Sequence, residues 1–209
     1  MAFKHFFIPE IIKIPDSKYV HNISIIRYAL GDTLLADGLI ESGNIMTHIW
    51  KVGIKNLLPK TYKPKKVLLL GLAGGSNAGL INKLYKDAEI TAVEIDPVMI
   101  EIGFKYFNLG KVRNLEIVTG DALDFANTLS DKDFYDLVLV DCFFGQEIPR
   151  KLESLEFFQK LKDHSTYTLV NRLWHLQFKQ ISQNFINNLA TRFQFVSTFT
   201  GTNLVISLI

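Results

Sequence analysis

The sequence predicts an α/β protein. The expected architecture is a doubly wound, mostly parallel seven-stranded sheet ending in an antiparallel hairpin, with a small N-terminal β-hairpin region in front. Three observations predict it. From residue 66 onward, short apolar runs alternate with helical patterns across brief connections, the signature of a parallel sheet with helices on both faces. Val67-Leu68-Leu69-Leu70 is an unbroken apolar run ending in glycine, as expected of a strand buried on both sides. The alternation closes not on another strand-helix unit but on two strand-like runs joined by Thr200-Gly201-Thr202.

The elements follow in order. Tyr19 to Leu30 is rich in β-branched and aromatic residues, and Gly31-Asp32 and Asp37-Gly38 break the next runs into hairpins. Met46 to Leu58 carries Ile49, Trp50, Ile54, Leu57 and Leu58 near helical spacing, and Pro59 and Pro64 mark its end and a linker. Strands are then expected at 67–70, 89–93, 115–118, 137–140 and 167–173, and in the closing pair 193–199 and 203–209. Helices are expected at 76–85, 97–107, 122–129, 155–161 and 176–190, with Asp96 as N-cap and Pro97 at the first helical position of the second. The implied organisation is residues 1–60 as the N-terminal region and 61–209 as a nucleotide-binding, Rossmann-like domain.

Composition narrows the function. The chain has 209 residues with 23 basic and 21 acidic side chains, so it lacks the surplus of positive charge that marks a nucleic-acid binder. The longest apolar run, 67–73, is too short to span a membrane. The single cysteine, Cys142, excludes an internal disulfide and a multi-cysteine metal site, and Lys4 and His5 interrupt any leader-like stretch. These features predict a soluble, cytoplasmic protein without nucleic-acid or membrane partners.

Ligands of open parallel sheets bind beyond the carboxyl ends of the strands. After the first strand comes Gly71-Leu72-Ala73-Gly74-Gly75-Ser76, small residues that permit a sharp turn and close approach. The second strand ends at Glu94-Ile95, roughly 20 residues on, the offset at which an acidic side chain meets ribose hydroxyls. The third is followed by Gly120-Asp121-Ala122 and the fourth by Asp141. Any one of these has a plain structural reading, Asp121 as a helix cap for example; together they point to nucleotide binding. A dinucleotide fingerprint wants glycine at the first, third and sixth positions, whereas Ala73 and Ser76 stand at the last two, and no Walker lysine follows.

The run from Val67 to about Leu161 resembles the spermidine synthase (aminopropyltransferase) family, which shares the class I methyltransferase fold. The resemblance rests on Leu-Leu-Leu-Gly-Leu-Ala-Gly-Gly, Val-Glu-Ile-Asp-Pro (93–97), Gly-Asp-Ala (120–122) and Tyr-Asp-Leu-Val-Leu-Val-Asp (135–141). Leu-Glu-Phe-Phe (155–158) and Leu35-Ala36-Asp37-Gly38-Leu39-Ile40-Glu41 extend it. It implies S-adenosylmethionine or its decarboxylated form as cofactor, held by Gly71, Ala73, Gly74, Gly75, Glu94, Ile95, Asp121 and Ala122. Glu94 would hold the ribose and Asp121 would reach the adenine amino group. It also implies a homodimer built through the N-terminal strands.

The departures from the family pattern shift the expected chemistry. The family's loop aspartate, which binds the amine of decarboxylated S-adenosylmethionine, is Gly74; its Asp-Ser-Ser-Asp is Asp141-Cys142-Phe143-Phe144; its Gln is Glu41; and of its Tyr-His-Glu only His48 remains. A polycationic polyamine needs several carboxylates to replace its water. The leading expectation is therefore methyl transfer to a small-molecule acceptor. An aminopropyltransferase with a degenerate polyamine site and a non-enzymatic nucleotide-binding or assembly module are the alternatives. Asp141 is the first candidate for a catalytic base and His48 the second, each against a structural or orienting role. Trp174 and His175 are candidates for the acceptor pocket, Cys142 is read as a packing residue, and no metal site is expected, Asn171 being a poor match for one.

Overall fold

The computed structural model describes residues 9–145 and 147–209; the leader reading of Lys4 and His5 lies outside them. Four strands form an antiparallel meander: β1 (Glu10–Lys13), β2 (Ser24–Tyr28), β3 (Gly31–Ala36) and β4 (Leu39–Ser42). Asp37 and Gly38 both have positive φ (48° and 82°), the conformation of a two-residue hairpin turn, as the Asp-Gly pair predicts. The earlier turn sits at Ala29-Leu30, and Gly31 opens β3 instead of closing the hairpin. β1, flanked by Pro9 and Pro15, is not foreseen by the sequence. Its four residues pair with β2 (Ile12 opposite Ile25) at the sheet edge, where flanking prolines cost no ladder hydrogen bond.

Helix α1 (Asn44–Leu57) follows, starting two residues before the expected Met46. It buries Met46, Ile49, Trp50, Gly53 and Ile54, and packs against strands of the second sheet. A Cβ on Gly53 would stand 3.0 Å from Val205, so glycine sets how closely the helix approaches.

The second sheet has seven strands: β5 (Lys66–Leu70), β6 (Glu89–Glu94), β7 (Leu115–Thr119), β8 (Tyr135–Val140), β9 (Ser165–Leu173), β10 (Phe195–Phe199) and β11 (Asn203–Leu208). Their order is β10-β11-β9-β8-β5-β6-β7; the pairs among β5 to β9 are parallel, and β11 pairs antiparallel with both β9 and β10. The connecting helices are α2 (Ser76–Leu84), α3 (Pro97–Tyr106), α4 (Ala122–Thr128), α5 (Leu155–Asp163) and α6 (Phe178–Leu189). Asp96 caps α3 by accepting from the Val98 amide at 3.0 Å, with Pro97 next to it, as expected. The expected helix from Leu176 starts instead at Phe178, because Leu176 has a φ of +46° and is 83% exposed.

Alternation along β5 explains the double-sided burial. Val67 and Leu69 face α1 and α2, Leu68 and Leu70 face the cluster built on α5 and α6, and all four are inaccessible to solvent. Each such side chain contributes roughly 1.5–3 kcal/mol relative to exposure. A third cluster joins Met99 and Ile102 of α3 to Ile25, Leu34 and Ala36 of the small sheet, which fixes that sheet over the carboxyl ends of the large one.

The strand order reverses between β5 and β8, where the two strand ends meet. Gly71 has a φ of +87°, and a Cβ there would stand 2.2 Å from the carbonyl oxygen of Asp141. Gly71→Ala should therefore lower unfolding free energy in urea by at least about 2 kcal/mol, from left-handed strain plus backbone overlap. Gly79→Ala, exposed in α2 with nothing near its Cβ, should instead raise it by up to about 1 kcal/mol. Equal effects of the two substitutions would contradict this account of Gly71.

Candidate active site

Two clefts open beyond the strand ends. The first, about 660 Å³, runs from Gly71 and Ala73 past Glu94, Ile95 and Met99 to Asp121 and Ala122. The second, about 670 Å³, lies between β4, α1 and the ends of β9 and β11, and is mostly apolar, with Leu39, Ile45, Met46, Ile49, Phe143 and Leu173 among its walls. Glu41, Asp141 and Phe143 line both.

Glu94 ends β6 as the floor of the first cleft and is 8% exposed. Its Oε2 accepts from the amides of Leu72 (2.9 Å) and Ala73 (2.8 Å), and its Oε1 from Asp96 (3.0 Å). Burial raises its pKa, while these three N–H groups pull the other way. The carboxylate thus clamps the glycine loop in place and keeps lone pairs for a ligand.

The loop divides into two halves. Gly71 and Ala73 line the cleft, and Ala73 holds a φ of +46°. Gly74 and Gly75 are buried and line neither of these two clefts. The Gly74 amide donates to Ser42 Oγ at 2.9 Å, and a Cβ at 74 would meet Ser42 and Phe107 at 2.9 Å. Gly75 starts α2 in the left-handed conformation, with Leu109 where its Cβ would be. The loop's smallness therefore serves packing as much as ligand approach.

At the far end, Gly120, Asp121 and Ala122 line the wall, and a Cβ on Gly120 would meet open space. Asp121 Oδ1 caps α4 through the amides of Leu123 and Asp124, and Oδ2 pairs with Lys151 at 2.7 Å. Burial would raise its pKa, but Lys151 and the two amides prevail and lower it.

Asp141 sits where the clefts meet. Its Oδ2 accepts from the Trp50 indole at 2.7 Å and its Oδ1 from Asn171 Nδ2 at 2.8 Å; Asn171 is held in turn by Asn203 at 2.9 Å. Burial raises its pKa against these two bonds. His48 corrects the sequence reading: it is exposed on α1 and lines neither cleft, because the helix turns Met46, Ile49 and Trp50 inward instead. His175 does line the second cleft, whereas Trp174 packs edge-on against Phe199. Cys142 is half-buried and lines the first cleft, its thiol pKa pushed up by desolvation and the neighbouring carboxylates.

Sequence reasoning missed Trp50 and Asn203 as partners around Asp141, since their placement is purely tertiary. It registered Glu41 only as a departure from a family pattern, not as a site residue. Burial, then Asp141, Glu94 and Asp37, push the Glu41 pKa up to about 8. Tyr19 and Phe144, stacked with ring centroids 6.0 Å apart, close over the first cleft.

The first cleft is lined by five carboxyl groups (Glu41, Glu94, Asp96, Asp121 and Asp141) and by no Lys or Arg among the described residues. Phosphate groups would meet net repulsion there, Lys151 being already paired with Asp121; a ligand with hydroxyls at one point and a positive charge at another would not. No cluster of three or more metal-ligating side chains occurs among the described residues.

Comparison with known proteins places the chain in a family. The chain is 37% identical over 101 residues to a polyamine aminopropyltransferase of Vibrio vulnificus, covering 48% of this chain and 34% of that protein. It is 39% identical over 84 residues to the eEF1A lysine and N-terminal methyltransferase homolog of Drosophila melanogaster, covering 40% of this chain and 12% of that one. The chain thus spans well under half the length of these relatives. Among solved structures, spermidine synthase from Thermotoga maritima superposes with a TM-score of 0.70 at 17% identity, covering 97% of this chain and 71% of the other. Human methyltransferase-like protein 13, solved with SAH, superposes with a TM-score of 0.63 at 20% identity, over 77% and 80%; at these identities the likeness speaks to fold. The spermine/spermidine synthase domain model matches residues 45–200, most of the chain and all of the strand-end rim, and the chain belongs to that family.

Proposed function

We propose that the protein is an S-adenosylmethionine-dependent transferase that moves a methyl group onto a small amine. One observation carries this reading. Among the described residues, a carboxyl-lined cleft with no Lys or Arg in its wall, suited to a positively charged donor, opens at Asp141 into a mostly apolar cleft whose only acids are Glu41 and Asp141. The donor supplies a methyl group already activated on positively charged sulfur, so the protein's task is alignment. In this reading residues 61–209 hold the donor, with Glu94 on the ribose hydroxyls, Gly71 and Ala73 along the tail, and Ile95, Asp121 and Ala122 around the base. Asp121 would exchange Lys151 for the adenine amino group. Residues 1–60 supply the acceptor wall through β4 and α1, and Asp141, fixed by Trp50 and Asn171, orients the acceptor.

Aminopropyl transfer is the second reading, favoured by the identity to the Vibrio aminopropyltransferase. Two features weigh against it. Position 74 has no room for an acid between Ser42 and Phe107, and the acceptor cleft has too few carboxylates to strip water from a polyamine. We also propose a homodimer, supported by the open edge of β1 with Ile11 62% exposed; a monomeric mass in solution would refute it. A cytoplasmic setting is proposed on the single cysteine, which forms no disulfide. Among the described residues no helix is long and apolar enough to cross a membrane. Finding the tagged protein outside the cytosol would refute that setting.

Calorimetry distinguishes the donors. S-adenosylmethionine should bind at least as tightly as its decarboxylated form, and a tenfold preference for the latter would reverse the two readings. Glu94→Ala should weaken S-adenosylmethionine by at least about 100-fold, the worth of two charge-assisted hydrogen bonds and an ordered loop. Unchanged affinity would remove Glu94 from the ribose.

A further inference from the structure

Glu41 stands between the two clefts because of a fault in the small sheet. Leu34 pairs with Ser42 and its neighbour Leu35 with Ile40, so Glu41 is the extra residue of a β-bulge. Bulges re-aim a side chain out of the ladder's alternation. Here the carboxyl reaches both clefts, whereas Ser42 turns inward to hold the Gly74 amide. Resting on the reading above, we propose that Glu41, not Asp141, takes the acceptor's proton, and that a cationic donor in the adjoining cleft is what makes it a base.

The hydrogen-bond pattern separates the two acids. Both Asp141 oxygens face protein donors, Trp50 on one and Asn171 on the other, so a proton there would displace a bond that holds the site together. No hydrogen bond to the Glu41 carboxyl is made among the described residues, and it lies on the wall that the acceptor and the donor share. Among the described residues the charged groups facing it are all acidic: Asp141 just after β8, Glu94 from β6 and Asp37 from the β3–β4 turn. His175 is the remaining titratable group in the acceptor cleft. With a pKa near 8, Glu41 is mostly protonated at neutral pH and unable to accept a proton. A positive sulfur beside it favours the ionised form and so expels that proton.

The chemistry then balances. The acceptor's ammonium group gives one proton to the Glu41 carboxylate and regains its lone pair. That lone pair forms the nitrogen–methyl bond as the methyl–sulfur bond breaks, its electron pair staying on sulfur. The positive charge passes from sulfur to the methylated nitrogen, and the sulfur departs as a neutral thioether.

Proton release tests this without a known acceptor. S-adenosylmethionine and S-adenosylhomocysteine differ in the sulfonium charge. Each is titrated at pH 7 in two buffers of different ionisation heat. In the wild type the sulfonium ligand should release roughly one proton more than the thioether. Glu41→Gln, close in size and permanently neutral, should bind both and lose that difference. Equal release by the wild type, or a difference that persists in Glu41→Gln, overturns the proposal; failure of both ligands to bind overturns the donor reading itself. With n-butylamine, putrescine and Nα-acetyl-lysine as acceptors, Glu41→Gln should lower kcat by about 100-fold or more, with donor KM little changed. The pH profile of donor kcat/KM, which is set by the free enzyme, should rise through about pH 8 in the wild type and lose that rise in Glu41→Gln. A Glu41→Gln rate equal to wild type would also sink the assignment.

Discussion

Both clefts are fixed by the contact of two strand ends, Gly71 against the carbonyl of Asp141. β5 and β8 are neighbours at the point where the strand order reverses, and only a residue without a Cβ lets the chain turn away there. The amide of Asp141 bonds the Leu70 carbonyl at 2.8 Å, and the amide of Gly71 bonds the Val93 carbonyl at 2.9 Å, so three strand ends are locked together. That lock places Glu94 under the glycine loop and Asp141 between the two clefts. A shift of an ångström here would move each carboxyl relative to the others, and alignment is most of what methyl transfer demands of a protein.

The same lock explains how so many acids survive in one place. Glu94 accepts three backbone amides, Asp141 an indole and a carboxamide, Asp96 an amide of the helix it caps, and Asp121 two amides and a lysine. Each is stabilised by donors of its own. Among the described residues Glu41 has no such donors, and its response is to hold its proton up to about pH 8. For a carboxyl raised in the folded state, the native protein binds more protons than the unfolded chain. Its contribution to stability is therefore present below the ordinary carboxylate range and lost as pH climbs from about 4.5 to about 8.

The large sheet was legible because its signals are local. Val67 to Leu70 announces a doubly buried strand, Asp96-Pro97 a helix start, and Thr200-Gly201-Thr202 the last turn, and each stands where these patterns put it. The small sheet was half legible. Asp37-Gly38 marks its turn, but β1 depends on pairing with a strand a dozen residues away and on prolines placed harmlessly at an edge. In the site, the strand-end carboxyls could be found by position, since the topology itself brings them to one rim. Trp50, Asn171 and Asn203 could not, because their relation to Asp141 exists only after α1 has docked beside β11. His48 misled for the same reason. Helical spacing alone leaves open which face of α1 turns inward, and the burial of Met46, Ile49 and Trp50 puts His48 outside.

The bulge at Glu41 adds a physical reason for the small sheet to be where it is. Most of the first cleft belongs to the large sheet, in the part of the chain that the family model matches. Differences in acceptor must then be written elsewhere, and the second cleft takes β4 and α1 as its wall. A single extra residue in β4 decides whether that wall presents an alternating apolar face or an acid. Because Leu34 and Ser42, the pair at one side of the fault, are both completely buried, the register cannot slip to cancel it. The acid is thus held in the shared wall by packing rather than by hydrogen bonds, which leaves its carboxyl free to exchange a proton with whatever occupies the clefts.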